Sequence, residues 1–186
     1  MIPRLPGRPE RYELYELPLQ GPGEIFVSAA TPADFGAAEP DRALRGSGAS
    51  PPEPAGIRLE ASASAPVTLV ELEGQQGNAE VMLVGQLYGV TVATRHRLET
   101  PGGVRDYVAR YGELSRPGPE VVNGATLGRG AVVGTVGDRN GSDSPHLYFE
   151  VRELRQGARL TRKTLSELVR PSVSVPCDPR NVLPLK

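Results

Sequence analysis

The sequence predicts an all-β domain, an open β-sandwich or barrel-like sheet with one short late helix. Three observations carry that prediction. Apolar runs rich in Val, Leu, Ile and Tyr are short and recur between turn signals. Glycine and proline are plentiful, at 22 and 19 of 186 residues, which suits many turns better than long helices. Only residues 161–170 (TRKTLSELVR) read as a helix, and Pro171 stops it.

Residues 1–10 form a Pro/Arg-rich arm, and residues 11–19 (RYELYELPL) roughly alternate polar with apolar side chains, as a strand does. The GPG at 21–23 is a turn, followed by a short strand over 24–28. Residues 31–55 are rich in Ala, Pro, Gly and Ser and read as one long loop, uncommon unless functional or disordered. Strands follow at 56–61, 65–73, 79–87, 90–96 and 104–111, separated by GQQGN, YG and ETPGG. Residues 121–136 place glycines at 124, 128, 130 and 134 among apolar residues, and residues 145–154 (PHLYFEVREL) alternate strongly. The expected division is an arm with an extra strand over 1–16 and one β domain over 17–186. That domain carries the long loop and a helix inserted at 157–174.

Composition narrows the function. A net charge of −1 gives no field favouring nucleic acid. No apolar run reaches the length of a membrane span. The opening residues lack the apolar stretch of a secretory signal, so the expectation is a chain cytoplasmic as made. Cys177 is the sole cysteine, which excludes an intrachain disulfide and a cysteine zinc cluster; a packed thiol is expected. The glycines at 124–137 do not precede a helix, so they form no nucleotide loop.

The segment VNGATLGRGAVVGTVGDRNGSDSPHLYFEVR (residues 122–152) resembles the closing part of the lysostaphin/LytM-type zinc endopeptidases, in which spaced glycines lead into a strand reading G-x-H-L-H-F-E. Further pieces match in order. LPLQGPGEIFVSAATPADFG (17–36) is similar to the entry strand, and AGIRLEASASAPV (55–67) to H-x-G-I-D-I-A-A-P-x-G-T-P-V. HRLETPGGVRDYVARYGEL (96–114) resembles the hairpin ending in Y-x-H-L, and VPCDPRNVLP (175–184) the V-D-P-x-x-x-L ending. The resemblance implies an open β-sandwich whose groove holds a zinc at its floor, with peptidoglycan as substrate.

The implied site needs two histidines and an aspartate on zinc, with an open position for water. At the matching positions the chain has Pro54 for the first histidine, Arg58 for the aspartate and Tyr148 for the second histidine of H-L-H. Glu113 replaces the histidine of Y-x-H-L; His146 alone remains. Proline offers no donor atom, arginine stays cationic, and a phenol is a poor ligand near neutrality. Zinc is therefore expected to be lost and no catalytic residues are expected, with His146 and Glu113 as remnants. Arg58 and Glu113 are expected to pair across the vacated space, Tyr148 and His146 adding hydrogen bonds. His146 serves equally well as a satisfied, partly buried histidine, and His96 as a surface or packing one. Asp138, Asn140 and Asp143 suit a local turn. Arg152, Arg155, Arg159, Arg162 and Lys163, interleaved with Glu150, Glu153 and Glu167, read as a solvated charged face.

Two functions follow as expectations. One is a pseudoenzyme acting as a binding or structural module, its partner peptidoglycan or another protein in a larger assembly such as a phage virion or tail. The polar, Pro/Gly-rich arm and loop would then be ordered by that partner. The other is an unorthodox metallo-endopeptidase cleaving peptidoglycan cross-bridges, with Glu113, His146, Tyr148 and Asp143 or His96 holding a metal or activating water.

Overall fold

The computed structural model describes residues 1–19, 27–29, 55–87, 89–138, 144–160 and 164–186. Among the described residues ten strands follow one another: β1 (Val27–Ala29), β2 (Ile57–Glu60), β3 (Pro66–Thr68), β4 (Ala79–Gln86), β5 (Val90–Thr100), β6 (Gly103–Pro117), β7 (Thr126–Leu127), β8 (Val132–Val136), β9 (His146–Leu154) and β10 (Ser174–Cys177). The helix α1 (Leu165–Leu168) precedes β10. The sheet is antiparallel, open and ordered β1-β2-β9-β6-β5-β4-β7; β10 pairs with β9, while β3 and β8 branch off through β6. The all-β expectation holds.

The centre is the β5–β6 hairpin, in register from Thr100 opposite Gly103 to Val90 opposite Leu114. Gly103 sits at φ +99, a conformation that a side chain would strain. Alternation then sorts the strands. Val92, Leu98, Tyr107, Ala109, Tyr111, Leu147, Phe149 and Val151 face the main core, closed from the other side by Leu69, Leu72, Val133 and Leu183. The opposite face carries a smaller cluster of Leu83, Ala93 and Val108, packed against Leu165 and Leu168 of α1.

β6 serves two layers. It pairs with β9 from Tyr107 to Gly112 and with β8 from Leu114 to Pro117. Glu113 lies at the switch with φ 61, a left-handed conformation uncommon outside glycine, and the register against β5 shifts beside it.

Several sequence expectations change. Residues 11–19 form no strand: Tyr12–Leu14 is a 3-10 turn, and Tyr15 and Leu19 make only single bridges to Leu185 and Val67. Four prolines within residues 1–18 deny this stretch a regular ladder. The strand read over 65–73 shrinks to β3, and the helix read over 161–170 shrinks to α1, capped by Thr164 Oγ1 accepting from Glu167 N at 3.2 Å. β10 escaped notice because Pro176 interrupts it, which an edge strand tolerates. The arm is fastened to the chain's own tail. Leu5 N donates to Asn181 Oδ1 (2.8 Å), Asn181 Nδ2 donates to the Pro3 carbonyl (2.9 Å), and Ile2 bridges Cys177. The Arg180 guanidinium stacks 4.8 Å from the Tyr12 ring centre. The loop expectation lies mostly outside the described residues.

His96 is a buried core residue, not a surface one. Its Nδ1 lies 2.7 Å from Gln75 Oε1 and its Nε2 lies 2.8 Å from Thr94 Oγ1. Burial lowers its pKa from 6.5 to about 4. Between those values the unfolded chain holds a proton that the folded chain does not, so acid favours unfolding. The neutral ring's contribution is complete above pH 6.5 and is lost as pH falls towards 4, up to about 3 kcal/mol. Urea unfolding at pH 7 and pH 4.5 should show a loss that a His96→Gln variant lacks; parallel losses in both proteins would refute the assignment.

Candidate functional site

The site is built on the strand pairing of β2 with β9. Arg58 stands opposite Tyr148 and Glu60 opposite His146, while β6 places Arg110 opposite Glu150 and Gly112 opposite Tyr148. Because β9 alternates, His146, Tyr148, Glu150 and Arg152 share the face away from the main core. Arg58 and Arg110 join them from the neighbouring strands.

Tyr148 is fully buried, and its hydroxyl is held from two sides. Its hydroxyl donates to Glu150 Oε2 at 2.8 Å and accepts from Gly56 N at 3.1 Å. Gly56 must stay glycine: a Cβ there would lie 2.6 Å from the Phe149 carbonyl and 2.7 Å from the Tyr148 ring. The Arg110 guanidinium stands 5.8 Å from the centre of the same ring.

Glu150 is the hub. Oε2 accepts from Arg110 Nη1 and from Tyr148, and Oε1 accepts from Arg152 Nη1. Each member of this Arg–Glu–Arg triad is at most 4% exposed. Arg152 then spends its other donors on the segment around α1 and β10: Nε to Ser174 Oγ (2.6 Å), Nη2 to the Val169 (3.1 Å) and Ser174 (3.3 Å) carbonyls. Ser174 Oγ in turn donates to the Leu168 carbonyl at 2.5 Å. The guanidinium therefore staples the end of α1 and the start of β10 to the sheet face.

The expected Arg58–Glu113 pair is not formed. Arg58 Nη2 instead lies 3.2 Å from His146 Nδ1, the same nitrogen that lies 2.9 Å from the Ser144 carbonyl. One proton decides between them: a bare Nδ1 accepts from Arg58, a protonated one donates to Ser144. Glu113 is taken up by the sheet switch, its carboxylate turned towards Gly89, where an added Cβ would meet Oε2 at 3.3 Å. His96 sits on the core side of β5, so it cannot join Tyr148 and His146 on the other face. Pro54, Asn140, Asp143, Arg162 and Lys163 lie outside the described residues; Asp138 is exposed.

Glu150, Arg152 and Glu167 are buried, so the expected solvated charged face fails for them, although Arg155 and Arg159 remain exposed. Arg110 went unnoticed as well. The signal was available: β9 carries His, Tyr, Glu and Arg at every second position, and such a row on an interior strand must find charged neighbours. Among the described residues no three His, Cys, Asp or Glu side chains are grouped as a metal centre. No helix among them is long and apolar enough to cross a membrane.

The solved structures similar to the chain include a Pseudomonas aeruginosa protein assigned to peptidase M23, 21% identical, covering 80% of this chain and 48% of that one with a TM-score of 0.45. A zinc-containing peptidase from Vibrio cholerae is 22% identical over 54% of this chain and 27% of its own, TM-score 0.40. The catalytic domain of lysostaphin from Staphylococcus simulans is 20% identical over 53% and 66%, TM-score 0.39. The chain thus spans about half the length of the Pseudomonas protein and about a quarter of the Vibrio one. No curated protein sequence matches. The sequence model of Peptidase family M23 matches residues 54–161, more than half of the chain and all of β2 to β9, and the chain belongs to that metallopeptidase family.

Proposed function

We infer that this chain is a non-catalytic member of the M23 family, a module that works by binding, whether to peptidoglycan or to another protein. What supports the reading is that two positions the resemblance would give to the metal, Arg58 and Tyr148, are committed to other bonds. Arg58 brings a permanent cation to the aspartate position, and Tyr148 spends its hydroxyl on Glu150 and Gly56. Pro54 has no donor atom at all. That set does not fit a dication that needs three neutral or anionic ligands and an open position. The neighbouring floor supports the same reading, because Glu150 is enclosed by two guanidinia and α1 packs on the sheet through Leu165 and Leu168. The arm is fastened to the chain's own tail, so its order by itself does not favour a partner in a larger assembly over peptidoglycan.

Elemental analysis after dialysis against zinc, with no chelator at any step, should find well under one zinc per chain, and purified peptidoglycan should stay uncut. One zinc per chain, lost on Tyr148→Phe and accompanied by release of free amines, would overturn the reading.

In place of a metal, the face is held by charge. Glu150→Ala leaves two guanidinia buried without their shared carboxylate and should cost about 3–5 kcal/mol in urea unfolding. Arg58→Ala removes a partly buried bond and should cost about 1 kcal/mol. Equal costs for the two variants would show that the triad is not the fastener.

A further inference from the structure

Beside the triad, on the same face of the sheet, lies a cavity of about 780 Å³, within the range of ligand pockets. Its floor comes from β4, β5 and β6, and its roof from residues 155–160. One wall is the unfinished edge of the second core: Leu83 is buried, but Met82, Leu154 and Leu160 are only partly so. The charges on the lining do not balance. Glu80 is neutralised by Arg95, and Asp106 lies 3.5 Å from Arg97 on the facing strand. Arg105 is 3.7 Å from Glu153. Arg155 and Arg159 remain, both exposed, with no carboxylate at ion-pair distance among the described residues. Arg155 Nε donates only to the Pro171 carbonyl, at 2.6 Å.

We propose that this cavity binds an amphipathic carboxylate: an apolar body against Met82, Leu83, Leu154 and Leu160, and a terminal anion between Arg155 and Arg159. Size, an apolar wall and a surplus of two cations at the roof together select that class over a neutral or cationic amphiphile. Two sources share the chemistry, a medium-chain acyl carboxylate and the free carboxyl terminus of an apolar peptide. The site shares no lining residue with Arg58, Tyr148 or His146, so it stands whether or not those positions are silent.

Amide NMR titrations of the full chain with decanoate and with acetyl-leucyl-leucine test it, against decan-1-ol and the dipeptide amide as neutral counterparts. At least one carboxylate should shift the signals of Met82, Leu83, Gln156, Ala158 and Leu160, and bind about tenfold tighter than its neutral counterpart. The tighter of the two acids names the source. Arg159→Glu should weaken the carboxylate about tenfold with an unchanged melting temperature, since the side chain is exposed, while Arg159→Lys should keep most of the affinity. Shifts confined to other residues, equal binding of acid and neutral forms, or no shifts at millimolar ligand would each overturn the proposal.

Discussion

A carboxyl group that is 1% exposed has given up its water and needs opposite charge and hydrogen bonds in exchange, and Glu150 has three donors around it. Arg110 comes from β6, Tyr148 from two residues back on the same strand, and Arg152 from two residues ahead. The constraint propagates outward. The Tyr148 ring packs against Gly56, which brings β2 close; Arg152 reaches Ser174, which ties the start of β10 to the sheet face. Removing any one donor would take from Glu150 a hydrogen bond that water can hardly replace at such burial.

The second organising feature is the change of layer in β6. A strand of 15 residues cannot follow β9 and β8 at once without a break, and the break falls at Glu113. That single left-handed residue separates the face bearing the charged network from the layer that closes the main core. Glu113, one of the two residues read as remnants of a site, thus marks a change in the backbone path.

Much of the fold was legible because turn glycines and period-two alternation are local properties. Residues 145–154 announced β9, and the ETPGG turn announced the β5–β6 hairpin. What could not be read was how far pairing extends: β5 runs to Thr100 because β6 pairs with it, and β6 runs on to Pro117 because β8 takes over from Leu114, not because either segment is strongly apolar. The arm misled for the opposite reason, since RYELYELPL alternates like a strand yet finds no continuous partner edge. At the site, identities at single positions were plain, Arg58 and Tyr148 above all. Their partners were not, because Arg110 and Glu150 are 40 residues apart and become neighbours only through the β6–β9 register. A buried ion pair is a tertiary property, and spacing along the chain carries no trace of it.

The two ends of the described chain are fastened to each other: Tyr15 bridges Leu185, Lys186 N donates to the Leu14 carbonyl at 2.9 Å, and Ile2 lies beside Cys177. For a module attached through either end, this decides how mechanical load is shared. A pull between the ends peels these few bonds one after another at the rim, and the arm lengthens while the sheet stays folded. A pull on either end alone enters the fold at the same small patch, beside Leu185 and Cys177, so the body of the protein hangs from its rim like a weight from a clasp.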